Sequence, residues 1–174
     1  MANTKKYLIT ALTLGAIAAG SAALIGVTNL VTRDAIKNNE IKRINKGIAA
    51  IFGENASISN EYAIEGYQYA NYVYEVENTE DPSYALRTTG SNMYGKISLL
   101  VGLKQNGSDF VFVEMYVVSN EQTYASTLVD NYIDPLNGGE VELDDVSCGA
   151  TYGAKLVRDM INDAKQAAGE KLGK

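Results

Sequence analysis

The stretch YGKISLLVGLKQNGSDFVFVEMYVV, residues 94–118, decides the fold. Two apolar runs flank Asn106-Gly107, a dipeptide that tolerates the positive φ angles of a tight hairpin turn. The expected unit is a pair of antiparallel strands. Upstream, EYAIEGYQYANYVYEVEN (61–78) places Tyr67 and Tyr69, then Tyr72, Tyr74 and Val76, on alternate positions in two short registers. That alternation also predicts strand. The chain has 12 tyrosines and no tryptophan, and for any single tyrosine the ordinary reading is a ring covering a half-exposed sheet. Residues 79–93 (TEDPSYALRTTGSNM) read as a loop around Pro82 and Gly90. Residues 119–145 read as a short helical piece near Leu128, then turns at Asp134-Pro135 and Asn137-Gly138-Gly139.

Helical patterns lie on either side. From Thr151 onward, Ala154, Val157, Ile161, Ala164 and Ala168 recur every three or four residues, with Leu156, Met160 and Ala167 beside them. This is one apolar face of a packed helix. Before the strands, Ile36, Ile41, Ile44, Ile48 and Ile51 recur at helical spacing until Gly53 and Asn55 end the run. There is no internal repeat.

Tyr7–Thr32 carries no charge and exceeds the ~20 residues a helix needs to cross the hydrocarbon core. Lys5, Lys6 and the small Ser21-Ala22-Ala23 step also suit a cleaved signal peptide. The apolar run continues through Leu24, Ile25, Val27, Leu30 and Val31, so an uncleaved anchor is expected. Orientation does not follow from charge. Arg33, Lys37, Lys42, Arg43 and Lys46 outnumber Lys5 and Lys6, yet long domains translocate largely regardless of such a bias. Ala16 and Gly20, and Ala22 and Gly26, stand four apart. That spacing is either the ordinary composition of an anchor or a face for a partner helix.

Lys+Arg number 15 against Asp+Glu 21. Only Lys5 and Lys6 precede residue 33, so the remainder carries 13 − 21 = −8. A nucleic-acid partner is not expected without a basic footprint. The absence of histidine excludes Ser-His-Asp and Cys-His catalysis and imidazole metal sites. The single cysteine, Cys148, excludes an intramolecular disulfide and a Cys-x-x-Cys pair. No side chain is expected to be catalytic and no metal is expected.

The stretch DDVSCGATYGAKLVRDM, 144–160, puts small residues at the mouth of the last helix. Three chemistries could use it. Cys148 could be a thiol acidified by the helix terminus, although no base accompanies it. The motif could be a helix start with a small polar cap. Thr151 could instead carry a phosphate-bearing group lying on the free N–H groups of the helix.

Asp145, then Cys148-Gly149-Ala150-Thr151 and an amphipathic helix, resembles the flavinylation motif of FMN-binding domains. These occur in the G subunit of Rnf electron-transfer complexes and the C subunit of the sodium-pumping NADH:quinone oxidoreductase. The resemblance implies that a flavin transferase joins FMN through its phosphate to the Thr151 hydroxyl, with Asp145, Cys148, Gly149, Ala150 and Tyr152 around it. Tyr94-Gly95-Lys96-Ile97 resembles the family's Gly-x-Ile start of a strand. Glu121-Gln122-Thr123-Tyr124-Ala125 stands where Rnf G subunits carry Glu-Thr-Pro-Gly-Leu-Gly near the flavin, which makes Glu121, Thr123 and Tyr124 candidate contacts. Tyr124 and Tyr152 are the rings expected to pack near it. Cys148 replaces the family's usual Ser or Thr, and Gly153 replaces a frequent second hydroxyl.

The expectation is therefore an α+β protein with one N-terminal transmembrane helix, an antiparallel sheet and a C-terminal packed helix. Residues 1–32 would be tail and span, 33–55 a connecting helix and 56–174 the FMN-binding domain. The resemblance implies an electron carrier on the extracytoplasmic side of the cell membrane. Its partners would be the other subunits of an ion-translocating ferredoxin:NAD oxidoreductase, and the flavin transferase during maturation. A non-catalytic assembly module and a stand-alone flavoprotein are the alternatives.

Overall fold

The computed structural model describes residues 2–173. Helix α1 (Ala2–Phe52) is continuous, and the chain divides after Lys42 into two units. In the first, Leu8, Leu12, Ile17, Leu24, Ile25 and Val31 are all exposed, so from residue 8 to residue 31 the helix presents apolar side chains on every face. It is long and apolar enough to cross a membrane. The side chains of Lys5, Lys6 and Leu30, which entered the reading of the anchor, lie outside the described residues. The helix ends where expected: Gly53, at φ +100°, donates its N–H to the Ala49 carbonyl at 3.0 Å.

The second unit, from Arg43 onward, is built on an antiparallel meander. Its strands are β1 (Ser57–Ala63), β2 (Ala70–Glu77), β3 (Ser83–Asn92), β4 (Gly95–Asn106) and β5 (Asp109–Asn120), in that order across the sheet. Helix α4 (Thr151–Leu172) covers one face. Side chains alternate across the pleat. Val73, Leu86, Leu99 and Val101 pack with Val157, Met160 and Ile161 of α4. Their neighbours Tyr74, Ala85 and Leu100 pack on the opposite face with Ile44, Ile48 and Ile51 from the end of α1. The approach there is close, because a Cβ at Gly102 would lie 2.4 Å from Ile51 Cγ2.

The β4–β5 hairpin forms as expected, with Asn106 opposite Asp109. Residues 83–92 correct the expected loop: they are β3, in the middle of the sheet. Its small and polar residues hid it. Gly90 lies beneath Leu156 and Met160 of α4, and Thr88 is fully buried. Tyr67 and Tyr69 are corrected the other way, since they lie in the β1–β2 connection and only the second register is strand.

That connection is fastened by Asp163 of α4, which accepts the N–H groups of Tyr69 and Ala70 at 2.8 Å each and of Gln68 at 3.3 Å. Asp163→Ala strands these donors, so we expect a loss of about 2–3 kcal/mol, measured as the urea midpoint. A loss below about 0.5 kcal/mol, the size of an ordinary surface change, would show that the connection holds itself.

Residues 125–137 keep the expected helical piece near Leu128 and differ from expectation after it. Short α2 (Ala125–Leu128), a π-turn (Val129–Ile133) and α3 (Asp134–Asn137) follow one another without a break. Asp134-Pro135 is thus helical and not a turn. The Asp134 N–H reaches the Val129 carbonyl, and Pro135 falls in the first turn of α3, where its missing N–H is not needed. Asn137 then pairs with the backbone of β5, donating to the Met115 carbonyl at 2.8 Å and accepting its N–H at 2.9 Å.

Candidate functional site

Helix α4 begins at Thr151 with no side-chain cap. Its first intrahelical bond runs from the Ala154 N–H to the Ala150 carbonyl at 3.0 Å. The amides of 151, 152 and 153 therefore precede the ladder and present the positive end of the helix dipole. A capped helix start, one of the three chemistries considered for this stretch, lacks its cap. The segment before the helix is tied from the π-turn: the Tyr132 hydroxyl donates to the Leu143 carbonyl, and Asn131 Nδ2 to the Cys148 carbonyl at 3.1 Å. Gly149 turns the chain at φ +82°.

A small cavity of about 60 Å³ opens at this helix end. Gly149 to Gly153 line one side, and Tyr94, Gln122 and Tyr124 the other. The second wall is assembled by the β3–β4 hairpin. Gln122 Nε2 donates to the Gly95 carbonyl at 3.0 Å and to Asn92 Oδ1 at 3.3 Å, and Asn92 Nδ2 donates to the Tyr152 carbonyl at 3.1 Å. A Cβ at Gly153 would lie 3.0 Å from both Gln122 Oε1 and Leu128 Cδ2. The wall thus leaves little room for a side chain at this position.

Of the residues expected at the site, Gly149, Ala150, Thr151, Tyr152 and Tyr124 line the cavity. Thr123 stands beside it, its N–H and Oγ1 donating to the Tyr94 carbonyl at 2.8 and 3.1 Å. Glu121 is exposed, and its N–H pairs with the Lys96 carbonyl. Asp145 is exposed and does not line the cavity. Cys148 is partly buried against the core. Sequence reasoning missed Tyr94 and Gln122 as lining residues. The Tyr94-Gly95 step was a usable signal for the first, whereas nothing local marks the second.

The cavity has room for a phosphate-sized group and is small beside a tricyclic ring. That ring would have to lie at the mouth, where Tyr124 and Tyr152 are 51% and 60% exposed. Both lean on Tyr94, with ring centroids 5.5 and 5.7 Å away. Among the described residues, no lysine or arginine lines the cavity. The residues present therefore fit a phosphate held by backbone amides, with an aromatic group outside it.

Beneath the site, Tyr132 is fully buried. Burial pushes its hydroxyl up to about 12; the Arg158 guanidinium pulls it down and the Asp144 carboxylate adds to the rise. The folded chain then keeps this proton between pH 10 and 12 while the unfolded chain loses it. Stability is present in full below pH 10 and declines by about 2–3 kcal/mol toward pH 12. Tyr132→Phe should flatten this decline in urea midpoints measured across that window, and an equal decline in the variant would assign it to other groups.

Residues 1–51 match the family model described as the RnfG N-terminal region. The match ends one residue before α1 does, and in this segment the chain resembles the G subunits of Rnf complexes. No curated protein matches the chain.

Proposed function

We propose that this chain is a membrane-anchored electron carrier of the Rnf G-subunit type, with FMN esterified through its phosphate to Thr151. Two separate segments support the reading: the family match over residues 1–51 and the Gly-Ala-Thr step that opens α4. The observation that carries it is the placement of Thr151, first residue of an uncapped helix, beside a phosphate-sized cavity rimmed by tyrosines.

FMN supplies the redox chemistry when bound. The chain holds and surrounds it. Esterification leaves the phosphate a diester with a single negative charge, which backbone amides and the helix dipole can accept without a basic partner. Gly149 and Ala150 bring little side chain to the approach. The covalent bond retains a cofactor that a shallow, cation-poor site would otherwise release. This is an advantage outside the cytoplasm, where we place the domain, and α1 serves as the single membrane span. Electrons would pass between other subunits of a ferredoxin:NAD oxidoreductase complex, and a flavin transferase would load the cofactor during maturation.

The test is intact mass and in-gel flavin fluorescence after denaturing electrophoresis, on the chain produced with a flavin transferase beside Thr151→Ala. A fluorescent band heavier by one FMN less water, present in the wild type alone, is the expected result. A dark, unmodified wild-type band, with the transferase active on a control substrate, would overturn it.

A further inference from the structure

We propose that Tyr94 is the platform on which the flavin ring stacks, with Tyr124 and Tyr152 as its flanks; this rests on the reading of Thr151 as the flavin-bearing residue. Tyr94 occupies the β3–β4 turn between the paired residues Asn92 and Gly95. Its backbone is fixed at both ends. The N–H donates to Asn92 Oδ1 at 2.8 Å, and the carbonyl accepts the Thr123 N–H and Oγ1. Its ring is partly buried, and those of Tyr124 and Tyr152 both lie against it.

Tyr124 and Tyr152 are held differently. Each is more than half exposed, and the ring contact each makes is with Tyr94, at interplanar angles of 63° and 46°. Tyr84, by comparison, packs edge-on against the buried Phe110 within the core. The three rings at the α4 terminus thus form a cluster with Tyr94 at its centre and aromatic surface open to solvent. The cavity beside them is small, about 60 Å³, so a planar ring tethered at Thr151 would emerge against this cluster. An electron-poor tricyclic ring gains from an offset stack on a phenol, and the face with the least freedom to move offers that stack at the lowest entropic cost.

A phenol in van der Waals contact quenches an excited flavin by lending an electron that then returns, which gives a readout independent of electron-transfer activity. The full chain is produced with a flavin transferase as wild type, Tyr94→Phe, Tyr94→Leu, Tyr124→Leu and Tyr152→Leu. Flavin per chain is measured after denaturation and emission before it. The folded wild type should be several-fold dimmer than the denatured chain. Tyr94→Leu should recover most of that emission and lose the visible circular dichroism of the flavin. Tyr94→Phe should brighten but keep the dichroism, because a phenyl ring stacks without quenching. The Tyr124 and Tyr152 variants should recover less.

If every chain carries flavin but emission is unchanged in both Tyr94 variants, or is recovered more fully by Tyr152→Leu, the platform is elsewhere while the reading of Thr151 stands. If no chain carries flavin, that reading fails and this inference with it. Should Tyr94→Leu fail to fold, brightening of Tyr94→Phe decides alone.

Discussion

Thr151→Ala should abolish covalent flavin while leaving the fold in place. The Thr151 hydroxyl makes no hydrogen bond among the described residues, and alanine favours a first helical turn at least as well as threonine. The urea midpoint should therefore move by no more than about 0.5 kcal/mol, whereas the denatured band goes dark and its mass returns to that of the bare chain. Cys148→Ala separates this from a thiol-linked cofactor. Cys148 is turned to the core and is absent from the cavity lining, so that variant should keep its flavin. Flavin surviving denaturation in Thr151→Ala, or lost in Cys148→Ala with the fold intact, would move the attachment away from the helix terminus.

The site lies at the meeting of a local motif and a non-local wall, and the two differ in how readable they were. Gly149, Ala150 and Thr151 are consecutive, and the apolar period that begins at Ala154 marks where the helix starts. Tyr152 and Asn92 are 60 residues apart and meet only because β3 and β4 turn back beside α4. Gln122 is buried by that closure, and its polar side chain between Glu121 and Thr123 gave no hint of it. The same limit concealed β3. A strand flanked on both sides is held by the backbones of its neighbours, so it can carry Gly90 where Leu156 and Met160 of α4 supply the apolar contact. Periodicity reads the residues of one element and not the bulk of its neighbour. The anchor and α4 suffer least from this, since a lipid-length apolar run and a 3.6-residue stripe are properties of a single segment.

Gly95→Ala should be the most disruptive small substitution at the site. The residue sits at φ +132°, and a Cβ there would lie 2.3 Å from the Glu121 carbonyl oxygen, 2.9 Å from its carbon and 3.0 Å from Gln122 Cα. All three are backbone atoms, so no rotamer change relieves the overlap. Backbone strain of about 1–3 kcal/mol and overpacking of similar size predict a total loss of about 2–6 kcal/mol. The displacement falls on Glu121-Gln122, which would pull Gln122 from the Gly95 carbonyl and from Asn92 and open the wall facing Thr151. Flavin loading should fall with stability. Gly107→Ala is the control, because it shares a positive φ, +66°, but its Cβ would meet nothing within 4 Å. It should cost only about 1–2 kcal/mol of conformational strain and leave flavin loading unchanged. Equal losses in the two variants would mean that Gly95 is required for its φ alone. The excess in Gly95→Ala, accompanied by lost flavin, would show that the strand start and the Gln122 wall are held together at one atom-to-atom contact.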